Sequence, residues 1–178
     1  MSNVQTTARD AAGEPDAQRI ECALVHRKYA EHVFISPIRF VPDAAAQYEA
    51  EVIIDQTHSF FYEHALDHVP GLLLVEGVRQ MGTAVTHLYY GAPLDSAFVL
   101  NEMVIKFAQF AEHFAPLYIK MRIHDVVMRR GRVASLRCAS AWWQDEREIG
   151  TMDAQWSVYD GRTMARLRAV RRASPGDM

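Results

Sequence analysis

The spacing of apolar positions divides residues 20 to 160 into three zones. The first, His32 to Asp55, holds the extended runs HVFISPIRF and YEAEVIID, broken by Pro37 within the first run and by the Pro42-Asp43 turn signal between them, and these read as strands. The second, Leu72 to Tyr90, is an apolar segment of about five turns. Pro70-Gly71 stands ahead of it and Gly91-Ala92-Pro93 behind it, which predicts one long helix over residues 71–90. The third, Phe98 to Tyr159, alternates: Ile119, Met121 and Ile123 fall on one face, and Lys120, Arg122 and His124 on the other. Arg130-Gly131 marks one hairpin turn and Glu146 to Gly150 another, giving an antiparallel meander. One apolar helix, strands before it and a meander after it bury themselves most simply as an α+β arrangement, with the sheet wrapped around the helix.

The predicted helix carries polar residues where burial makes them costly. Glu76, Gln80, Thr83 and His87 recur at spacings of four, three and four, with Arg79 adjoining, and so form one narrow stripe. If the sheet covers the apolar sides, the stripe is expected to face solvent or a second copy of the domain, which makes a cleft at a homodimer interface its natural place. Gly77 and Gly82, each costing about 1 kcal/mol against Ala in a helix interior, mark a close approach of another backbone, a ligand or the sheet. Glu76 and Arg79 read equally as a surface ion pair or as chemistry.

Three histidines precede the helix: His58, His64 and His68. A histidine near a carboxylate supplies a polarising donor and a general acid or base together. Their spacings of six and four fit no metal-binding pattern, so no metal is expected. His26, His32, His113 and His124 read as surface or strand-end residues, and Trp142, Trp143 and Trp156 as core or dimer-face residues.

Composition narrows the class. The 178 residues suit one domain, and a net charge of -3 gives no general basic field for nucleic acid. Cys22 and Cys138 form neither a disulfide framework nor a zinc motif, which suits a cytoplasmic protein, and no run is long and apolar enough for a membrane span. Residues 1–18 have little to bury and read as a disordered arm or linker, residues 19–162 as the domain, and residues 163–178 as a basic C-terminal tail.

The stretch FFYEHALDHVPGLLLVEGVRQMG resembles the dehydratase-type hotdog pattern: an FF pair, a catalytic His, a Pro-Gly, an acidic residue and a Gln, here Phe60-Phe61, His64, Pro70-Gly71, Glu76 and Gln80. The segment VIKFAQFAEHFAPLYIKMRI resembles the strand and crossing loop that follow the helix in that superfamily. A closer resemblance is to the AfsA-type (A-factor biosynthesis) hotdog family, through Val25-His26-Arg27 ahead of HVFIS and through DHVPG, LLL, Glu76 and Arg79-Gln80, an arginine the dehydratase pattern lacks.

That resemblance implies a single hotdog domain and acyl chemistry on an acyl carrier protein or CoA thioester, without a cofactor. The family's reaction joins a β-ketoacyl group to the hydroxyl of dihydroxyacetone phosphate on the way to γ-butyrolactone or butenolide signals. Family members often carry two hotdog repeats, so a single repeat implies a homodimer that completes the site. The expected roles are Glu76 as base, His64 as orienting or proton-carrying group, Arg79 on the acceptor phosphate or ketone, and Gln80 and Thr83 toward substrate. The backbone at Gly71 and Leu72 would hold the thioester oxygen. A shorter loop before Pro70 leaves His58 and His68 as substitutes for His64. Dehydration or hydration of a β-hydroxyacyl thioester, thioester hydrolysis, and a non-catalytic acyl-binding module are the alternative readings.

Overall fold

A computed structural model describes residues 18–42 and 47–173. The expected arm lies almost wholly outside the described residues. One helix, α1 (Gly71–Tyr90), begins after Pro70 and stops at Gly91, whose φ of 67° is the left-handed conformation that a glycine adopts without strain. It packs against a single antiparallel sheet of β1 (Arg39–Val41), β2 (Gln47–Glu51), β3 (Ala97–Phe107), β4 (Leu117–Arg129), β5 (Arg132–Gln144) and β6 (Arg147–Tyr159), ordered β1-β2-β4-β5-β6-β3. This is the α+β wrapped-helix architecture read from the pattern.

The β4-β5-β6 meander forms the centre, and its alternation decides which face meets the helix. Ile119, Met121 and Ile123 are buried, while Lys120 and His124 are half-buried and Arg122 is exposed. On the outer face Lys120 Nζ lies 4.4 Å over the Trp143 ring. Trp142 is fully buried and donates from Nε1 to the Leu74 carbonyl at 3.2 Å, tying β5 to α1. The tight approaches at Gly77 and Gly82 are helix-to-sheet packing. A Cβ at Gly77 would lie 3.1 Å from Ile119 Cδ1, and one at Gly82 only 2.5 Å from Trp156 Cη2.

Three expectations change. HVFISPIRF is not one strand: residues Ala30–His32 form a 3-10 turn, Ile35 makes an isolated bridge to Val52, and only Arg39–Val41 joins the sheet. Pro37, which has no N–H to donate, sits between the bridge and the strand. β3 is not part of the meander but lies at the far edge, paired among the described residues to β6 alone. Most of the segment read as a basic tail forms a second helix, α2 (Gly161–Ala173), opened by Asp160, whose carboxylate accepts from Thr163 N at 2.8 Å. No helix among the described residues is long and apolar enough to cross a membrane.

Candidate functional site

The polar stripe of α1 faces neither solvent nor an empty side. It is covered by the chain's own N-terminal segment, which runs from Arg19 through a 3-10 turn at Cys22–Val25 to Ile35. Gln80 is fully buried there: its Oε1 accepts from Phe34 N at 2.8 Å and its Nε2 donates to the His32 carbonyl at 2.7 Å. Thr83 is buried and turned back onto the Arg79 carbonyl at 3.0 Å. His87 is also buried. The reason is local: the segment's irregular backbone needs partners once covered, and an amide supplies a donor and an acceptor together. Gln80 and Thr83 therefore serve the fold in this arrangement.

Glu76 is the hub of the stripe. Its Oε1 accepts from Arg27, from Arg79 Nη2 at 2.8 Å and from Gln80 Nε2 at 2.8 Å, while its Oε2 accepts from Arg79 Nε at 2.7 Å. Arg79 also donates to the Val25 carbonyl at 3.1 Å. Burial opposes the ionised form of Glu76, but the hydrogen bonds and charge of Arg79, the Gln80 amide and the Arg27 charge outweigh it, holding the carboxyl below its ordinary value. A general base poised by burial needs the reverse shift. These electrostatics suit an anchor, ionised at neutral pH, that fixes Arg27 and Arg79. Nothing in the spacing of Arg27 shows that it reaches across 49 positions to Glu76, so only the fold makes it a member of this cluster.

The three loop histidines part company. His64 is exposed and makes no hydrogen bond among the described residues. His58 sits in an aromatic cluster with ring centres 5.0 Å from Phe34 and 5.1 Å from Phe61, its buried Nδ1 without a partner. His68 bonds through Nδ1 to Asp67 Oδ1 at 2.7 Å, which leaves Nε2 free. His68 also lines a cavity of about 350 Å³ at the mouth of α1, together with Gly71, Leu74, Phe107 and Phe110. There the N–H groups of Leu73 and Leu74 already point to the Pro70 carbonyl, whereas those of Gly71 and Leu72 have no acceptor among the described residues. The structure thus brings His68, Gly71 and the start of the helix together. It places Glu76, Arg79, Gln80 and Thr83 elsewhere, on the stripe.

The histidines read as surface residues take part as well. His26 Nε2 lies 3.0 Å from His87 Nε2, His32 meets His58 edge-on with ring centres 5.5 Å apart, and His113 Nε2 lies 3.2 Å from the Tyr62 hydroxyl. His26 is exposed, as expected, and His124 stands beside Asp125 on β4. No group of three metal-ligating side chains occurs among the described residues.

A family model described as the A-factor biosynthesis hotdog domain matches residues 8–160. Among curated proteins, the 2-oxo-3-(phosphooxy)propyl 3-oxoalkanoate synthase of Streptomyces virginiae is 29% identical over 72 residues, covering 40% of this chain and 22% of that protein, so the match spans a minor part of the relative. Among solved structures, the HP0420-homologue from Helicobacter felis has a TM-score of 0.54 at 13% identity, over 84% of this chain and 93% of its own. A mutant thioesterase, PA1618 from Pseudomonas aeruginosa, has a TM-score of 0.50 at 12% identity, over 70% and 81%. These two likenesses are of fold, and they agree with the wrapped helix described above. With the family match running from ahead of the N-terminal segment to the end of β6, the chain belongs to the A-factor biosynthesis hotdog family.

Proposed function

We propose that this protein transfers a β-ketoacyl group from a carrier-protein or CoA thioester to the hydroxyl of a small phosphorylated acceptor such as dihydroxyacetone phosphate. The observation that carries the reading is the pairing of His68 with the unengaged N–H groups at the mouth of α1, in a chain of this family. The Streptomyces virginiae relative bears the name of an enzyme making that kind of ester, which supports the same acceptor class here.

In this reading Asp67 holds the Nδ1–H tautomer of His68, so Nε2 takes the proton from the acceptor hydroxyl as its oxygen attacks the thioester carbonyl carbon. The N–H groups of Gly71 and Leu72 stabilise the oxyanion, helped by the positive end of the helix. The C–S bond then breaks, and His68 returns the proton to the leaving thiolate. Glu76 acts as the anchor that holds Arg79 ready for the acceptor phosphate, a task suited to a guanidinium's fixed donors. His64 and His58 have no part in the proton transfer.

A second copy completes this site. The cavity lined by His68 and Gly71 abuts the Phe107 end of β3, whereas Arg79 lines a different cavity abutting Phe98 and Leu100 at the other end. β3 is an unpaired edge with Val99, Val104 and Phe107 exposed. Antiparallel pairing of two β3 strands covers that edge and sets the Phe107 end of one chain beside the Phe98 end of the other. His68 of one subunit then works with Arg79 of the partner subunit.

The test is to incubate the protein with a β-ketoacyl thioester, with and without dihydroxyacetone phosphate, and identify products by mass spectrometry. Acceptor-dependent ester is the expected result. Water addition or loss, free acid, or saturable binding without product would each replace the reading with hydration, hydrolysis or acyl binding alone.

A further inference from the structure

Two basic elements meet at one end of the sheet, and the acyl-transfer chemistry uses neither. The β4-β5 hairpin tip carries Arg129, Arg130 and Arg132, and α2 carries Arg162, Arg166 and Arg168. β5 pairs with β6 through Ser135 and Ser157, so three residues further on Arg132 comes level with Asp160, and its charge acts on the Asp160 carboxyl at the start of α2. That carboxylate is already engaged, accepting from the Thr163 N–H at 2.8 Å and from its hydroxyl at 2.9 Å. All six arginines are exposed, and among the described residues none of them forms an ion pair.

The chain as a whole is acidic, with a net charge of -3, so these arginines make a local field of the opposite sign. Like charges gathered on neighbouring elements repel one another, and an anionic partner removes that cost. α2 also lies outside residues 8–160, the part that the family model matches, so it is not a feature of the shared domain. Its position indicates what a partner would deliver. The Asp95 carbonyl oxygen is 4.0 Å from where a Cβ on Gly161 would stand, so α2 starts at the Phe98 end of β3. In the antiparallel β3 pairing proposed above, that end stands beside the Phe107 end of the partner subunit, at the mouth a thioester must enter. The apolar component fits a protein better than a bilayer. Met164 is half-buried and Leu167 is 51% exposed, too narrow a strip for a helix lying in a membrane. Arginines beside Met128, which is 52% exposed at the hairpin tip, match the residue types that protein interfaces favour.

We propose that α2 and the β4-β5 hairpin tip together form the docking surface for an acidic protein, the acyl carrier protein that presents the thioester. Complementary charge steers the encounter and fixes its orientation, and the apolar side chains among the arginines close the contact. This rests on the acyl-transfer reading for the identity of the partner, but the docking is tested by binding, without turnover.

The experiment measures dissociation constants of the full chain for a holo acyl carrier protein bearing no acyl group, over a range of salt concentrations. Phosphatidylglycerol vesicles and duplex DNA serve as the other anionic probes. The carrier should bind, and its affinity should fall as ionic strength rises. Arg166→Gln with Arg168→Gln should weaken binding about fivefold, and Arg129→Gln with Arg130→Gln should do the same. Lys120→Gln with Arg122→Gln removes as much charge from the outer face of the sheet and should change binding by less than about twofold. Circular dichroism checks each fold, and if the α2 pair does not fold, the hairpin pair decides. Equal weakening by all three pairs, no carrier binding, or tighter binding of vesicles or DNA overturns the proposal. Carrier binding with the expected pattern, but no ester from a loaded carrier, would keep the docking surface and remove the acyl-transfer reading. Ester formation from a CoA thioester without carrier binding would do the opposite.

Discussion

The Nε2 atoms of His26 and His87 lie 3.0 Å apart, joining the end of the N-terminal segment to the last turn of α1. His87 Nδ1 faces the Ala92 carbonyl at 2.8 Å, so that nitrogen carries the hydrogen, Nε2 is the acceptor, and His26 is the donor. One extra proton on His26 leaves the bond intact. Burial, then the charges of His87, Arg79 and Arg27, lower the His26 pKa against the raising effect of the Leu94 carbonyl. Its folded value therefore lies below the unfolded one, and the linked stability is present above the ordinary histidine pKa and is lost as pH falls through the folded value. Melting temperatures from pH 8 to pH 5 should fall more steeply for the unaltered protein than for His26→Gln; equal slopes would remove His26 as the source.

Arg27 and Glu76 should behave as a coupled pair. Removing the Glu76 carboxylate leaves two partly buried guanidinium groups without their anchor, so Glu76→Gln is expected to cost about 1–3 kcal/mol of unfolding free energy in urea titrations. Because the carboxyl pKa is lowered in the fold, this contribution is present above the unfolded carboxyl pKa and disappears as pH falls through the folded value. A double-mutant cycle of Glu76→Gln with Arg27→Met should give a coupling of about 0.5–3 kcal/mol. Additive effects would show that the two do not act together.

Gly82 and Gly77 should respond differently to the same change. At Gly82 an added methyl lies 2.5 Å and 2.9 Å from two Trp156 ring carbons, and a ring wedged in the core cannot give way, so Gly82→Ala should cost about 1–3 kcal/mol. At Gly77 the nearest atom, at 3.1 Å, is the end of the flexible Ile119 side chain, and a gain of about 1 kcal/mol in helix propensity offsets the strain. Thermal melts should show Gly77→Ala close to the parent. Equal losses at both would contradict this account.

The β3 edge gives a prediction about assembly. Val104 is 47% exposed on a strand that pairs only with β6. A charge there discourages edge-to-edge pairing while leaving the core untouched. Light scattering should find a dimer for the parent and a monomer for Val104→Lys, and transfer activity should fall with it. A Val104→Lys protein that still dimerises would place the interface elsewhere.

The pattern alone carried the architecture, because periodicity is local. The proline-glycine start and glycine stop bracketed α1 at residues 71–90, and the alternation around Ile119 assigned the inner face of β4 correctly. The family motifs single out the His58–His68 loop and the Arg79-Gln80 pair. What could not be read was who covers the stripe. The wheel places Glu76, Gln80, Thr83 and His87 on one line, but the segment that bonds Glu76, Gln80 and His87 lies about fifty residues upstream and has no periodicity of its own.

Sequence by itself determined the helix, the meander, the Arg130-Gly131 turn and the family, since each depends on residue spacings or motifs within a short window, whereas the second turn falls at Asp145-Glu146 and residues 147–150 belong to β6. Only the tertiary structure decided that Glu76 is an ionised hub for Arg27 and Arg79, that His68 rather than His64 stands at the helix mouth, and that His26 meets His87. Those outcomes depend on distances across the fold and on burial, which shift charge and hydrogen bonding in ways that residue type and spacing do not encode.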